Sequence, residues 1–139
     1  MRKLLLSIII VVYSYASSTA DIKAKIIENI SRVFIKNKII KLYVADKTFN
    51  DVFNVNKNLQ RVTKIKDANI ILTNDSAKFK DLKSPIYVIS TSYKDYKNAL
   101  SFDCAAFFWQ KGRPNLILNS KVIKDKKIKL SKQYNRFVE

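Results

Sequence analysis

The chain has 139 residues, no histidine, one cysteine and a formal charge of +16, from 27 basic and 11 acidic residues. Without histidine it lacks the commonest general base and the usual metal ligand, so Ser-His-Asp and Cys-His catalysis are excluded. A single glycine also excludes a glycine-rich phosphate loop, and we predict neither a cofactor nor a metal site.

The first twenty residues have the pattern of an export signal. Two basic residues precede the apolar run Leu4–Val12, and Ser18-Thr19-Ala20 offers small side chains for cleavage. Cleavage after Ala16 fits nearly as well. The apolar run is shorter than the roughly 20 residues that cross a bilayer, although an uncleaved N-terminal anchor is an alternative. We therefore predict a signal peptide at 1–20, a periplasmic location and one domain at 21–139.

The strong positive charge predicts anionic partners. In a cytoplasmic protein it would indicate nucleic acid, but the export signal argues against a nucleic-acid partner. Lysine predominates over arginine, and the mature chain keeps +14 once the two basic residues of the signal are removed. Phospholipid head groups, lipopolysaccharide or an acidic protein face are the anionic surfaces of an envelope compartment.

Helical and strand periodicities alternate in the first half of the chain. Residues 22–35 carry apolar side chains at helical spacing, and a strand at Ile39–Val44 follows. A short helix is predicted at Phe49–Phe53, capped by Asp46 or Thr48.

Three strand segments follow. Leu59–Ile65 alternates weakly, as in a short edge strand, whereas Ile70–Leu72 has no polar face and suits a strand buried on both sides. Pro85 begins the strand Ile86–Ile89, and Thr91–Asn98 predicts a helical turn.

A β-hairpin is predicted from Cys104–Trp109 and Leu116–Leu118, two apolar runs with a break between them. We expect Gly112 and Pro114 to define the turn, because glycine accepts positive φ and proline fixes its own φ. Lys111 and Arg113 then form a cationic tip. Short helices at Lys121–Asp125 and Lys132–Val138 close the chain.

Together these elements predict one α/β domain. Its mixed sheet has five or six strands, parallel at first and ending in the antiparallel hairpin, with helices packed on the sheet.

The only tryptophan and the only cysteine both fall in the first arm of this hairpin. Alternation places Phe108 with Cys104 on one face of the strand, and Phe107 with Trp109 on the other. Apolar side chains on both faces indicate a central strand, whereas the alternative leaves Trp109 half-exposed as an anchor beside the cationic tip. Cys104 is expected to be buried and inert, with an interchain disulfide as the alternative.

The order of these segments resembles the YfiR-like periplasmic proteins. The similarity covers most of 21–139 and is most specific at Ala68–Thr73 and at Arg113–Ser131, where a second strand ends in Asn119 before a leucine-serine segment and a helix. It implies a small α/β periplasmic module that represses a membrane signalling enzyme by contact. The single cysteine departs from the disulfides of that family, so redox control is not implied. The tip also resembles conserved-hypothetical exported proteins of AT-rich bacteria.

Two functions follow as expectations. The first is a non-enzymatic interaction module that regulates or senses for an inner-membrane signalling protein of the diguanylate cyclase or histidine kinase type, or that binds an anionic envelope surface. A homodimer is compatible with it. The second is a solute-binding domain for a small anionic ligand. A deep pocket with convergent cations would favour the solute, and an apolar patch ringed by lysine would favour the interaction.

Overall fold

Six short strands form a single mixed sheet in the computed structural model, which describes residues 19–82 and 86–139. The strands are β1 Ile40–Val44, β2 Leu59–Arg61, β3 Ile70–Thr73, β4 Tyr87–Ser90, β5 Asp103–Gln110 and β6 Arg113–Leu118. Their order across the sheet is β2-β1-β3-β4-β5-β6; the first five run parallel, and β6 is antiparallel to β5. The predicted α/β class and the C-terminal hairpin are confirmed.

Three α-helices and four 3-10 helices accompany the strands in the described part of the chain. The α-helices are α1 (19–34), α2 Tyr93–Asn98 and α3 Ser120–Asp125. The 3-10 helices are Lys47–Asn54, Ile65–Asp67, Ser76–Phe79 and Lys132–Phe137. Two segments that we predicted as short helices, near residues 49–53 and 132–138, are therefore 3-10 helices.

The main core lies between α1 and one face of the sheet. Ile27 and Ile30 of α1 are fully buried, and they belong to one cluster with Leu42 and Leu72 of the central strands. A smaller cluster covers the opposite face of the sheet, comprising Ala68, Ile71, Phe79 and Val88. Because both faces are covered, β3 is buried at every position, as its uninterrupted apolar sequence predicts.

Some predicted boundaries differ from the structure or lie outside it. The predicted edge strand Leu59–Ile65 pairs only over Leu59–Arg61, because the chain then turns into a 3-10 helix that leads to β3. The predicted signal peptide 1–20 lies outside the described residues except for Thr19 and Ala20, which are helical. Pro85 is likewise outside them.

A β-bulge in β5 overturns part of the predicted alternation. The pairing of β4 with β5 shifts between Val88 and Ile89, so that Cys104 is the extra residue. Cys104 consequently joins the same buried cluster as Ala105 and Phe107, instead of sharing a face with Phe108. It is completely buried, as expected.

The hairpin projects beyond the carboxyl edge of the parallel strands. The last residue of β4, Ser90, pairs with Ala106, whereas β5 continues to Gln110. At about 3.3 Å per residue, this leaves an arm of about 13 Å whose only neighbouring strand in the described part of the chain is β6. We call residues 107–110 of β5, with the paired part of β6, the hairpin arm.

Candidate functional site

The end of the hairpin arm is a two-residue turn formed by Lys111 and Gly112. Both have positive φ, 52° and 73°, which is the backbone of a type I′ turn. Arg113 is already the first residue of β6, opposite Gln110, and Pro114 is the second residue of that strand. Gly112 therefore helps to define the turn as expected, but Pro114 lies in the strand, because a two-residue loop needs no further residue to reverse the chain.

Trp109 lies near the tip, partly covered by a row of aromatic rings. It is 39% exposed, and its ring lies 5.6 Å from that of Phe107, which lies 5.8 Å from Phe49 after β1. Phe107 itself is fully buried. The strand is thus internal at Phe107, whereas Trp109 matches the alternative of a half-exposed anchor.

A cleft of about 380 Å³ separates the hairpin arm from the loop that follows β1. It is lined by Thr19, Lys23, Asp46, Thr48, Phe49, Thr91, Phe108 and Trp109. Asp46 follows β1 and Thr91 follows β4, so the cleft lies outside the carboxyl ends of parallel strands. In open α/β sheets this is the edge at which ligands bind.

Both charged side chains of the cleft interact with neighbouring groups of the chain. Lys23 Nζ donates to the Thr48 carbonyl at 2.7 Å, lies 3.1 Å from an oxygen of Asp51, and stands over the ring of Phe49. Asp46 accepts hydrogen bonds from the hydroxyls of Thr91 at 2.6 Å and Thr48 at 2.7 Å. The cleft is therefore not a pocket of convergent free cations.

The hydrogen bonds of Asp46 also set its ionisation. Burial raises the pKa of Asp46, but the hydrogen bonds from Thr91 and Thr48 outweigh burial, so the pKa lies below its ordinary value. The carboxylate caps the following 3-10 helix through the Thr48 N–H. This confirms the predicted capping role of Asp46.

Lys111 and Arg113 lie at the solvent-exposed tip of the hairpin arm. With Gln110 and Asn115 they line a shallow hollow of about 430 Å³. In residues 19–82 and 86–139, neither cation has a carboxylate oxygen within 4.0 Å. Their charge is therefore available to an external anion.

An apolar groove of about 210 Å³ runs along the α1 side of the hairpin arm. Its lining is formed by Ile26, Phe107, Pro114, Asn115, Leu116 and Phe137. Ile26 also borders a second shallow depression with Asp21, Ile22 and Lys25, and Ile22 is 39% exposed. Apolar surface thus extends from α1 to the hairpin, close to the cations of both elements.

A buried polar cluster on the opposite face of the sheet was missed by sequence reasoning. Ser76 Oγ lies 2.6 Å from Asp95 Oδ2 and 2.8 Å from Asp103 Oδ2. Asp95 Oδ2 also accepts from Ser90 Oγ at 2.6 Å, and the second oxygen of Asp103 is buried with no hydrogen-bond partner among the described residues. The sequence signal available was only that these aspartates border predicted elements, which usually indicates a cap or a turn.

The geometry of this cluster indicates that one of its two carboxyls is protonated, and complete burial favours Asp103 for that role. A serine hydroxyl has one hydrogen, so Ser76 cannot donate to both carboxylates at once. If Asp103 carries a proton, it donates to Ser76 Oγ while Ser76 donates to Asp95. Burial raises the pKa of Asp103 to about 8, and the charge of Asp95 adds to this effect.

In the described residues, no helix combines the length and the apolarity that crossing a membrane requires. Comparison of the chain with protein-family models, with curated proteins and with solved structures finds no match.

Proposed function

We propose that this chain is an exported, non-enzymatic interaction module that regulates or senses for an inner-membrane signalling protein, with the hairpin arm as its contact surface. The observation that carries the proposal is the half-exposed Trp109, packed on the buried Phe107 near a tip where Lys111 and Arg113 have no carboxylate partner among the described residues. Tryptophan and arginine are the residue types that dominate binding energy at protein interfaces.

The shape of the surface supports contact with a macromolecule. The apolar groove at Pro114 and Leu116 reaches Ile26 of α1, which also borders a depression beside Lys25, and the groove shares Asn115 with the hollow of Lys111 and Arg113. Apolar surface rimmed by charged groups is typical of interaction sites. The resemblance to YfiR-like proteins agrees with a partner of the diguanylate cyclase or histidine kinase type.

Export is a part of the proposal that can be tested separately. The mature chain in the periplasmic fraction should begin at Asp21, or at Ser17 if the earlier site is used. Cleavage after Ala20 would remove Thr19 and Ala20 from α1, whereas cleavage after Ala16 would leave both in place. N-terminal sequencing distinguishes these results, and an unprocessed chain in the cytoplasm would contradict export.

A small anionic solute is the second candidate. The hollow at Lys111 and Arg113 favours it, because two cations lie together there without a carboxylate partner in the part of the chain that the structure describes. Against it, the hollow is open, and Lys23 in the neighbouring cleft is already bonded within the chain. Calorimetry with inorganic phosphate tests this candidate: saturable binding that is lost on charge reversal of the tip would favour the solute function.

The decisive experiment is capture of a partner from inner-membrane extracts by the tagged mature chain. Lys111→Glu with Arg113→Glu should abolish capture while changing the free energy of unfolding by no more than about 0.5 kcal/mol, as expected of surface residues. The matched control is Lys64→Glu with Lys66→Glu, which has the same spacing and change of charge at an exposed site beyond the β2 edge. Capture that survives the tip reversal, or that is lost equally in the control, would refute the proposal.

Protein and lipid partners are separated in the same assay. Capture from membranes should disappear after mild proteolysis of the extract if the partner is a protein. Binding to protein-free phosphatidylglycerol vesicles that is lost only in the tip variant would instead identify an anionic membrane surface as the partner.

A further inference from the structure

The hairpin arm has an open strand edge on the side of the cleft. Pairing of β4 with β5 ends at Ser90 and Ala106, and the chain after Ser90 turns away into α2. In the described part of the chain, no backbone hydrogen bond outside the β5–β6 ladder involves Phe108, Trp109 or Gln110. Main-chain groups that point from this part of β5 towards the cleft therefore lack a strand partner.

The position of Pro114 shows which main-chain groups of β5 point away from β6. Proline has no N–H, so the Trp109–Pro114 pair cannot be of the kind that exchanges two hydrogen bonds. The two kinds of pair alternate along an antiparallel ladder, so the pairs of Phe108 with Asn115 and of Gln110 with Arg113 are the bonded ones. The N–H and C=O of Trp109 consequently point away from β6, towards the cleft.

The two edges of the hairpin arm differ in what they offer. The outer edge of β6 contains Pro114, which cannot donate to an added strand, and proline is a common means of blunting an edge. The inner edge has no proline and faces the cleft of about 380 Å³. Aromatic rings flank it on both faces: Trp109 packs on Phe107, and Phe108 lies 5.5 Å from Tyr93.

We propose that this inner edge, at Trp109, binds an extended acidic segment of a partner protein as an added β-strand. The inference rests on the proposed function, because it states how the hairpin arm makes its contact. Main-chain hydrogen bonds would supply affinity, and the aromatic rings would receive alternate side chains of the added strand.

Charge specifies the occupant. Lys111 and Arg113 stand at the end of the open edge without carboxylate partners in the described residues, so acidic side chains of the added strand would meet free cations. A second copy of this chain is disfavoured, because it would present a tip of the same positive charge, on mature chains of +14 each.

The test uses the peptide acetyl-(Glu-Val)₄-amide as a probe. It should bind saturably and change the emission of Trp109, which is the only tryptophan and so reports on this site alone. The peptide methylated at alternate backbone nitrogens should bind at least tenfold more weakly, and acetyl-(Lys-Val)₄-amide should not bind. Equal affinity of the methylated and parent peptides would overturn the proposal, as would the absence of binding.

Two variants separate the backbone group from the indole ring. W109T keeps the N–H and W109P removes it, so a labelled peptide followed by anisotropy should bind W109P at least tenfold more weakly than W109T. Equal binding to the two variants, with urea unfolding showing both folded, would overturn the proposal. If W109P does not fold, the methylated peptide still decides the question.

The outcomes also separate this inference from the proposed function. If the peptide does not bind but reversal of the tip charges still abolishes capture from membranes, only the strand-addition proposal is overturned. Capture that survives tip reversal refutes the proposed function, whatever the peptide does.

Discussion

Asp103→Asn should change from a destabilising to a stabilising substitution as the pH rises. Asp103 is completely buried, and its pKa is raised from 3.8 to about 8, mainly by burial. Between these two values the folded chain holds a proton that the unfolded chain has released. The free energy of unfolding therefore falls by about 1.4 kcal/mol per pH unit on account of this group. Its contribution is complete below pH 3.8 and lost once the pH exceeds about 8.

The magnitude follows from this linkage and from the hydrogen bonds of the cluster. At pH 8 the penalty for Asp103 is about 6 kcal/mol, from a shift of about four pKa units. Asparagine avoids it, because its amide can donate to Ser76 Oγ without taking up a proton. The second N–H of the amide has no acceptor in the site, which costs about 1–3 kcal/mol. We therefore expect Asp103→Asn to lose about 1–3 kcal/mol below pH 4 and to gain about 3–5 kcal/mol at pH 8.

Urea unfolding followed by circular dichroism between pH 3.5 and pH 8.5 measures both effects. Comparing variant and parent at each pH cancels the titration of all other carboxylates. Asp67→Asn, at an exposed position, is the control and should differ from the parent by a nearly constant small amount. A loss of stability for Asp103→Asn that is the same at every pH would refute the assignment of a buried, protonated carboxyl.

Three further experiments test the turn at Gly112, the burial of Cys104 and the hydrogen bond between Thr91 and Asp46. Gly112→Val should lower the free energy of unfolding in urea by about 1–2 kcal/mol. The cause is the φ of +73° rather than a clash, since no described atom lies within 4 Å of an added Cβ. Gly112→Asn should lower it less, because asparagine tolerates positive φ, and equal losses would contradict this explanation. Burial also raises the pKa of Cys104 well above its ordinary value, so a thiol reagent should label the native chain no faster than it unfolds; rapid labelling or a reducible dimer would contradict this. Thr91→Val should cost about 1–2 kcal/mol at pH 7 by removing the bond to Asp46, and Thr91→Ser should cost less. Because the pKa of Asp46 is lowered in the fold, that cost should shrink as the pH falls below 3.8, and a constant cost down to pH 3 would contradict the role of Asp46.

The main elements of the fold could be predicted because local sequence and tertiary environment agree. Ile70–Leu72 has no polar face and forms a strand buried on both sides, and the helical pattern of α1 buries Ile27 and Ile30 as predicted. The hairpin was predicted correctly because the polar break between its two apolar runs contains Gly112, which takes positive φ without steric cost. All three features are determined by residues that are close together in the sequence.

The buried aspartates could not be predicted, because their environment depends on distant parts of the chain. Ser76 follows β3 and Asp103 begins β5, 27 residues later, yet both sit on the same face of the sheet. An aspartate at the start of a strand is ordinarily solvated, so its sequence context gives no sign of burial. Asp103 meets Ser76 of a 3-10 helix, which in turn bonds Asp95 of α2, and these contacts arise only when distant segments pack on this face.

The open edge at Trp109 could not be predicted from the sequence, because it results from the different lengths of β4 and β5. β4 has four residues, and Ser92 then caps α2 by accepting from the Asp95 N–H, which turns the chain away from β5. β5 has eight residues and continues past that point with β6 as its only neighbour. The sequence of β5, apolar on both faces, indicates a strand with two neighbours throughout. Phe107, Phe108 and Trp109 nevertheless keep the apolar character of a central strand. An exposed edge is ordinarily blunted by charge or proline, and the strand addition proposed above would cover the edge at Trp109 in their place.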